Sequence, residues 1–152
     1  MTPIAPITYL TTILFDHGAI RQLPQELKAV GIAKPLIVTD KGVVAAGIAG
    51  RVLELIPPSN ANGPNAVPRF EDTPSNPTEG AVLKALALYR DNKCDGIVAI
   101  GGGSSMDLAK AVALLATHPE PLSSYAMALG GAPKITPAVA PVIAIPTTSG
   151  TG

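Results

Sequence analysis

The stretch Gly101-Gly102-Gly103-Ser104-Ser105-Met106-Asp107-Leu108-Ala109-Lys110 narrows the possible folds more than any other part of this chain. An apolar run, Gly96 to Ile100, precedes it and reads as a buried strand. A helical pattern comes next, with Leu108, Val112 and Leu115 on one stripe and Ala109, Ala113 and Ala116 beside it. Strand, three glycines and helix form the layout of a phosphate-binding turn. Glycines let the backbone bend sharply and let an anion approach without meeting a Cβ. Ser104 and Ser105 are expected to start the helix, because a hydroxyl can accept from a free N–H of the first turn. The other free N–H groups and the positive end of the helix dipole then face the glycines, which suits a diphosphate. Met106 stands where a GxGxxG fingerprint needs its third glycine, and no Gly-Lys-Ser/Thr is present after the glycines, so neither common nucleotide fingerprint fits. The alternative is a tight turn with no ligand, although three consecutive glycines exceed what a turn needs.

The rest of the chain repeats the alternation. Ile7 to Phe15 reads as a strand or short hairpin, Ala19 to Val30 as a helix closed by Gly31, and Pro35 to Thr39 as a short strand. Val43 to Ile56 has the spacing of one helix. Pro57 to Pro68 is a Pro/Asn/Gly-rich loop, and Val67 to Asp72 is a weak strand. Pro77-Thr78-Glu79 opens a helix that ends near Asn92. The helix after the glycines stops by Pro119, Pro121 to Pro137 is irregular, and Val139 to Ile145 is another strand. Four or more strand–helix alternations predict an α/β fold, a Rossmann-like parallel sheet with helices on both faces. The 47% hydrophobic and 14% charged composition suits strands buried on both sides. The length fits one domain over residues 1–152.

In such sheets ligands bind at the carboxyl ends of the strands. Asp40, Asn76, the 101–105 turn and the 147–151 loop all come after strands, so one site built from four loops is expected. Asp40 can accept from the hydroxyls of an adenosine ribose and would repel a 2′-phosphate, which predicts NAD over NADP. Its other reading is a solvated strand-end carboxylate. Thr147, Thr148, Ser149 and Thr151, with Gly150, form a hydroxyl-dense loop that could hold the diphosphate or the nicotinamide carboxamide, or else a polar turn. Asn76, between prolines, could reach the cofactor or simply form the turn. Asp107 is expected to orient the glycine turn, and Lys110 to be a surface cation.

Other chemistries find little support. Eleven basic and eleven acidic residues leave no net charge, and no basic run argues for nucleic acid. No apolar run is long enough for a membrane span, and no CxxC or HExxH is present. Cys94 reads as a small buried apolar residue, and a single cysteine with no signal peptide fits a cytoplasmic setting. His17 and His118 read as non-ligands, with His118 at a helix end that favours an imidazolium.

GGGSSMDLAK (101–110) and PTTSGTG (146–152), with Thr39-Asp40-Lys41-Gly42 and Pro74-Ser75-Asn76-Pro77-Thr78 in order before them, resemble the iron-dependent (group III) alcohol dehydrogenases. Within the family the Thr39–Gly47 and Thr73–Glu79 segments look most like the 4-hydroxybutyrate dehydrogenases. The resemblance implies an N-terminal nucleotide-binding domain, an all-helical C-terminal domain whose aspartate and three histidines hold Fe2+ or Zn2+, and hydride transfer between a small alcohol or aldehyde and NAD. It makes Asp40, Asn76, Gly101, Gly102, Gly103, Ser104 and Thr147 to Thr151 cofactor contacts, and implies a homo-oligomer at full length. The chain stops at Gly152, directly after a strand. It is therefore expected to be the cofactor-binding portion, with no catalytic or metal residues of its own and little turnover alone. A glycerol dehydrogenase, a dehydroquinate-synthase-like relative and a non-catalytic nucleotide-binding module are the alternatives.

Overall fold

The computed structural model describes residues 5–8, 11–57 and 67–149. Two short strands, β1 (Ala5–Thr8) and β2 (Thr12–Phe15), form an antiparallel hairpin, the second of the two readings of this stretch and beginning before Ile7, in register from Ala5 opposite Phe15 to Thr8 opposite Thr12. A 3-10 turn over Ala19–Gln22 runs into α1 (Leu23–Ala29), and Gly31 leaves the helix at φ 77°. Strand β3 (Pro35–Val38) comes next.

The segment expected as one helix over Val43 to Ile56 is two, α2 (Lys41–Ala45) and α3 (Ile48–Leu53). Gly47 between them sits at φ 74°, a left-handed conformation that ends one helix and re-aims the next. The apolar spacing nevertheless continues across the break, because Val43, Ala49 and Val52 are buried on the same side. The weak strand shrinks to β4 (Arg69–Phe70), and residues 58–66 of the expected loop lie outside the described residues.

Thr78 caps α4 (Glu79–Asp91), its Oγ1 accepting from the Ala81 N–H at 3.2 Å. Strand β5 (Gly96–Gly101) leads through Gly102 into α5 (Gly103–Thr117). Residues 119–141 contain three 3-10 turns, and β6 is Val142–Pro146, starting later than expected.

The four-stranded sheet is parallel, in the order β4-β3-β5-β6. Successive side chains of a strand face opposite sides. Leu36, Val38, Ile97 and Ala99 therefore pack against α4 and α5, while Ile37, Val98 and Ile100 pack against α1, α2 and α3. Helices cover both faces, as the alternation predicts. The helices after β3 go to one face and α5, after the adjacent β5, goes to the other. The carboxyl ends of β3 and β5 therefore diverge into a crevice, the switch point at which open α/β sheets bind ligands.

Candidate functional site

That crevice holds a cleft of about 590 Å³, within the range of small-molecule sites. Asp40, Lys41 and Val43 line it from the end of β3. Thr73, Pro74 and Ser75 come from the loop after β4. Gly102 and Ser104 form its floor at the start of α5, and Thr147 and Thr148 reach it from β6. Four loops at four strand ends thus meet, as the sequence suggests.

The start of α5 has no side-chain cap, and its N-cap is Gly102, which corrects the expectation that Ser104 or Ser105 begins the helix. The Met106 N–H bonds the Gly102 carbonyl at 3.2 Å, so the N–H groups of Gly103, Ser104 and Ser105 lie in the turn before intrahelical bonding begins. The two serines do other work. Ser104 Oγ donates to the Ser75 carbonyl and ties the turn to the loop after β4. Ser105 is fully buried, and its Oγ donates to Asp40 Oδ2 at 3.4 Å, a long contact between the ends of β5 and β3.

Gly101 has φ 152°, and a Cβ there would stand 2.5 Å from Ser105 Oγ and 3.2 Å from Asp40 Oδ2. A Cβ on Gly102 would stand 3.2 Å from Thr148 Oγ1, so a side chain at 102 would fill the cleft where the β5 and β6 loops face each other. Thr147 is pinned there, its N–H donating to the Gly101 carbonyl at 3.0 Å. Thr73 Oγ1 is buried at the cleft wall without a hydrogen-bond partner. A cradle without side chains, free N–H groups and an orphaned hydroxyl together fit an anionic, hydroxyl-bearing ligand such as a dinucleotide.

Asp40 is the N-cap of α2, its Oδ1 accepting from the Val43 N–H at 3.0 Å. It is half-buried and faces the cleft with its carboxylate fixed from two sides. Its neighbour Lys41 pairs with Asp72, Nζ to Oδ1 at 2.7 Å, and a bridge joins the backbones of Asp40 and Asp72. The hydrogen bond and charge of Asp72 raise the Lys41 pKa, and those of Lys41 lower that of Asp72. Sequence reasoning gives Ser105 only the role of helix starter, assigns Lys41 no role of its own and passes over Asp72, because their contacts emerge only once β3, β4 and β5 lie side by side.

Other expected site residues are placed differently. Asn76 is exposed beside Ser75, outside the cleft wall, and Ser149 is exposed beyond Thr148. Gly101 and Gly103 flank the cleft without lining it. Gly150 and Thr151 lie outside the described residues. Asp107 does not orient the glycine turn. Its exposed carboxylate pairs one helical turn on with Lys110 at 3.2 Å, which makes Lys110 the expected surface cation.

His118 is buried, and the Thr136 N–H donates to its Nε2 at 2.9 Å. Its Nδ1 lies 3.1 Å from the Leu114 carbonyl and 2.8 Å from Thr117 Oγ1. The ring ties Thr136 to the end of α5. Cys94 is buried, and desolvation raises its thiol to about 11. No group of three or more His, Cys, Asp or Glu side chains among the described residues could hold a metal ion. No described helix is long and apolar enough to cross a membrane.

Residues 11–152 match the family model of the iron-containing alcohol dehydrogenases. The chain belongs to that family. It is 53% identical over 149 residues to a 4-hydroxybutyrate dehydrogenase of Cupriavidus necator, covering 98% of this chain and 37% of that protein. It is 39% identical to a choline dehydrogenase of Bacillus subtilis, covering 93% of this chain and 34% of the other. A crystal structure of a 1,3-propanediol oxidoreductase superposes with a TM-score of 0.75 at 31% identity, over 88% of this chain and 33% of that one. A sulfoacetaldehyde reductase of Bifidobacterium kashiwanohense, solved with NAD+, superposes at 0.73 with 29% identity and the same coverages. The chain thus spans about a third of the length of these relatives.

Proposed function

We propose that residues 1–152 are the NAD-binding part of a metal-containing alcohol dehydrogenase. The whole enzyme would interconvert a primary alcohol of the 4-hydroxybutyrate kind and its aldehyde. The observation that carries this reading is the uncapped start of α5 opening, through Gly102, into the cleft at the β3/β5 switch point. The 53% identity to a 4-hydroxybutyrate dehydrogenase supports the substrate class.

In this reading the N–H groups of Gly103, Ser104 and Ser105 hold the diphosphate, helped by a helix-end dipole contribution of about 0.3–1 kcal/mol. Asp40, already oriented by Val43 and Ser105, accepts from the ribose hydroxyls and disfavours NADP. Thr147 and Thr148 close the side of the cleft opposite Asp40. A bound nicotinamide supplies the hydride acceptor. The described residues do not fit the family's iron, since no three His, Cys, Asp or Glu side chains among them come together. A homo-oligomeric, cytoplasmic enzyme at full length completes the proposal.

Titration of the folded chain with NADH, read by nicotinamide fluorescence, tests it. Saturable binding of one NADH per chain is expected. A folded chain that binds no NADH at millimolar concentration overturns the proposal.

A further inference from the structure

Among the described residues Lys41 is the one basic residue lining the cleft, and it directly succeeds Asp40 in the chain. A free ammonium there would meet a 2′-phosphate on any adenosine ribose seated against Asp40, and lysine is a common phosphate binder. It is not free. Asp72 holds its Nζ at 2.7 Å, and the backbone bridge between Asp40 and Asp72 fixes where that carboxylate stands. Both side chains are exposed, at 83% and 68%, so the pair adds little to folding. Its consequence is positional: the cation next to the ribose site is already occupied.

We propose that Asp72 is a specificity-determining residue that holds Lys41 away from the 2′ position of the adenosine ribose and so adds to the preference for NAD over NADP. The inference rests on the nucleotide-site reading above. Asp40 acts on the 2′ position as a like charge. Asp72 acts at one remove, by engaging the lining cation that could neutralise a 2′-phosphate.

The test is the ratio of NADPH to NADH affinity, read by fluorescence titration in the intact chain and its variants. Asp72→Asn should raise the ratio about fivefold, the order set by one exposed ion pair. Adding Lys41→Met to Asp72→Asn should return the ratio to the wild-type value, and Asp72→Glu should keep it there. A ratio unmoved by Asp72→Asn overturns the inference. So does a rise that survives Lys41→Met, since simple removal of negative charge would then explain it. Lys41→Met alone covers the case in which Asp72→Asn does not fold. It should leave the ratio within about twofold, and a larger fall would mean that Lys41 already serves a 2′-phosphate. A folded wild type that binds neither dinucleotide overturns the site reading itself, and this inference with it.

Discussion

Replacing Gly101 with alanine should destabilise the protein severely, and the structure says why. Its φ of 152° is a conformation that side-chain-bearing residues rarely adopt, which costs about 1–3 kcal/mol. The new Cβ would also stand 2.5 Å from Ser105 Oγ and 2.9 Å from Ser105 Cβ. Ser105 is fully buried and cannot swing away, so the overlap adds about 1–3 kcal/mol. The sum, about 2–6 kcal/mol, is a large share of the roughly 5–15 kcal/mol that holds a domain together. Urea denaturation of Gly101→Ala against wild type measures it. Adding Ser105→Ala removes only the Oγ overlap, so it should recover a minority of the loss. Gly103→Ala is the control: nothing lies within 4 Å of its Cβ, so stability should stay within about 1 kcal/mol of wild type. A Gly101→Ala protein as stable as Gly103→Ala would refute the view that this turn is shaped by close packing.

If Asp40 faces the ribose as proposed, Asp40→Gly should raise the affinity for NADP relative to NAD by about tenfold or more by removing a like charge; equal ratios before and after, measured by titration, would remove Asp40 from the ribose site. His118→Ala strips the Thr136 N–H of its acceptor and should cost about 1–3 kcal/mol, and hydrogen exchange at the Thr136 amide should accelerate more than at amides of β5. Cys94 should react slowly with maleimide at pH 8 in the folded state, because its thiol is pushed up to about 11. Folding raises that pKa from 9.0, so its contribution to stability is full below pH 9 and is lost as pH rises toward 11. Tyr89, raised from 10.0 mainly by desolvation, adds a loss of the same sign above pH 10. Urea midpoints across that range should fall, and a flat profile would contradict the burial of both groups.

Much of the fold and of the site is legible in the chain. Gly96 to Ile100 is apolar without interruption and too short for a typical helix, which suits a strand covered on both faces, and three glycines before a helical stripe set the turn that leaves it. Once the strands are parallel, Asp40 and the glycine turn must share an edge. The local frame and the cross-strand partners are not legible in the same way. Spacing cannot show that Gly47 adopts a left-handed conformation, because the apolar stripe of Val43, Ala49 and Val52 continues past it. Three glycines leave the helix start ambiguous, so the cap is expected at Ser104 or Ser105 when it is Gly102. Asp107 looks placed to orient the turn because it is acidic and near. Ser105 spans from the turn to Asp40 instead, although its buried position looks like any helical serine in sequence. The Lys41–Asp72 pair joins residues remote in the chain, and nothing in composition couples them.

Calorimetric titration of the folded chain with NAD, and separately with adenosine, asks whether the start of α5 holds a diphosphate. The structure predicts saturable binding of NAD with one site per chain, and adenosine at least about tenfold weaker because it lacks the groups those N–H donors would bind. No heat with NAD at millimolar concentration, or adenosine binding as tightly as NAD, would contradict it.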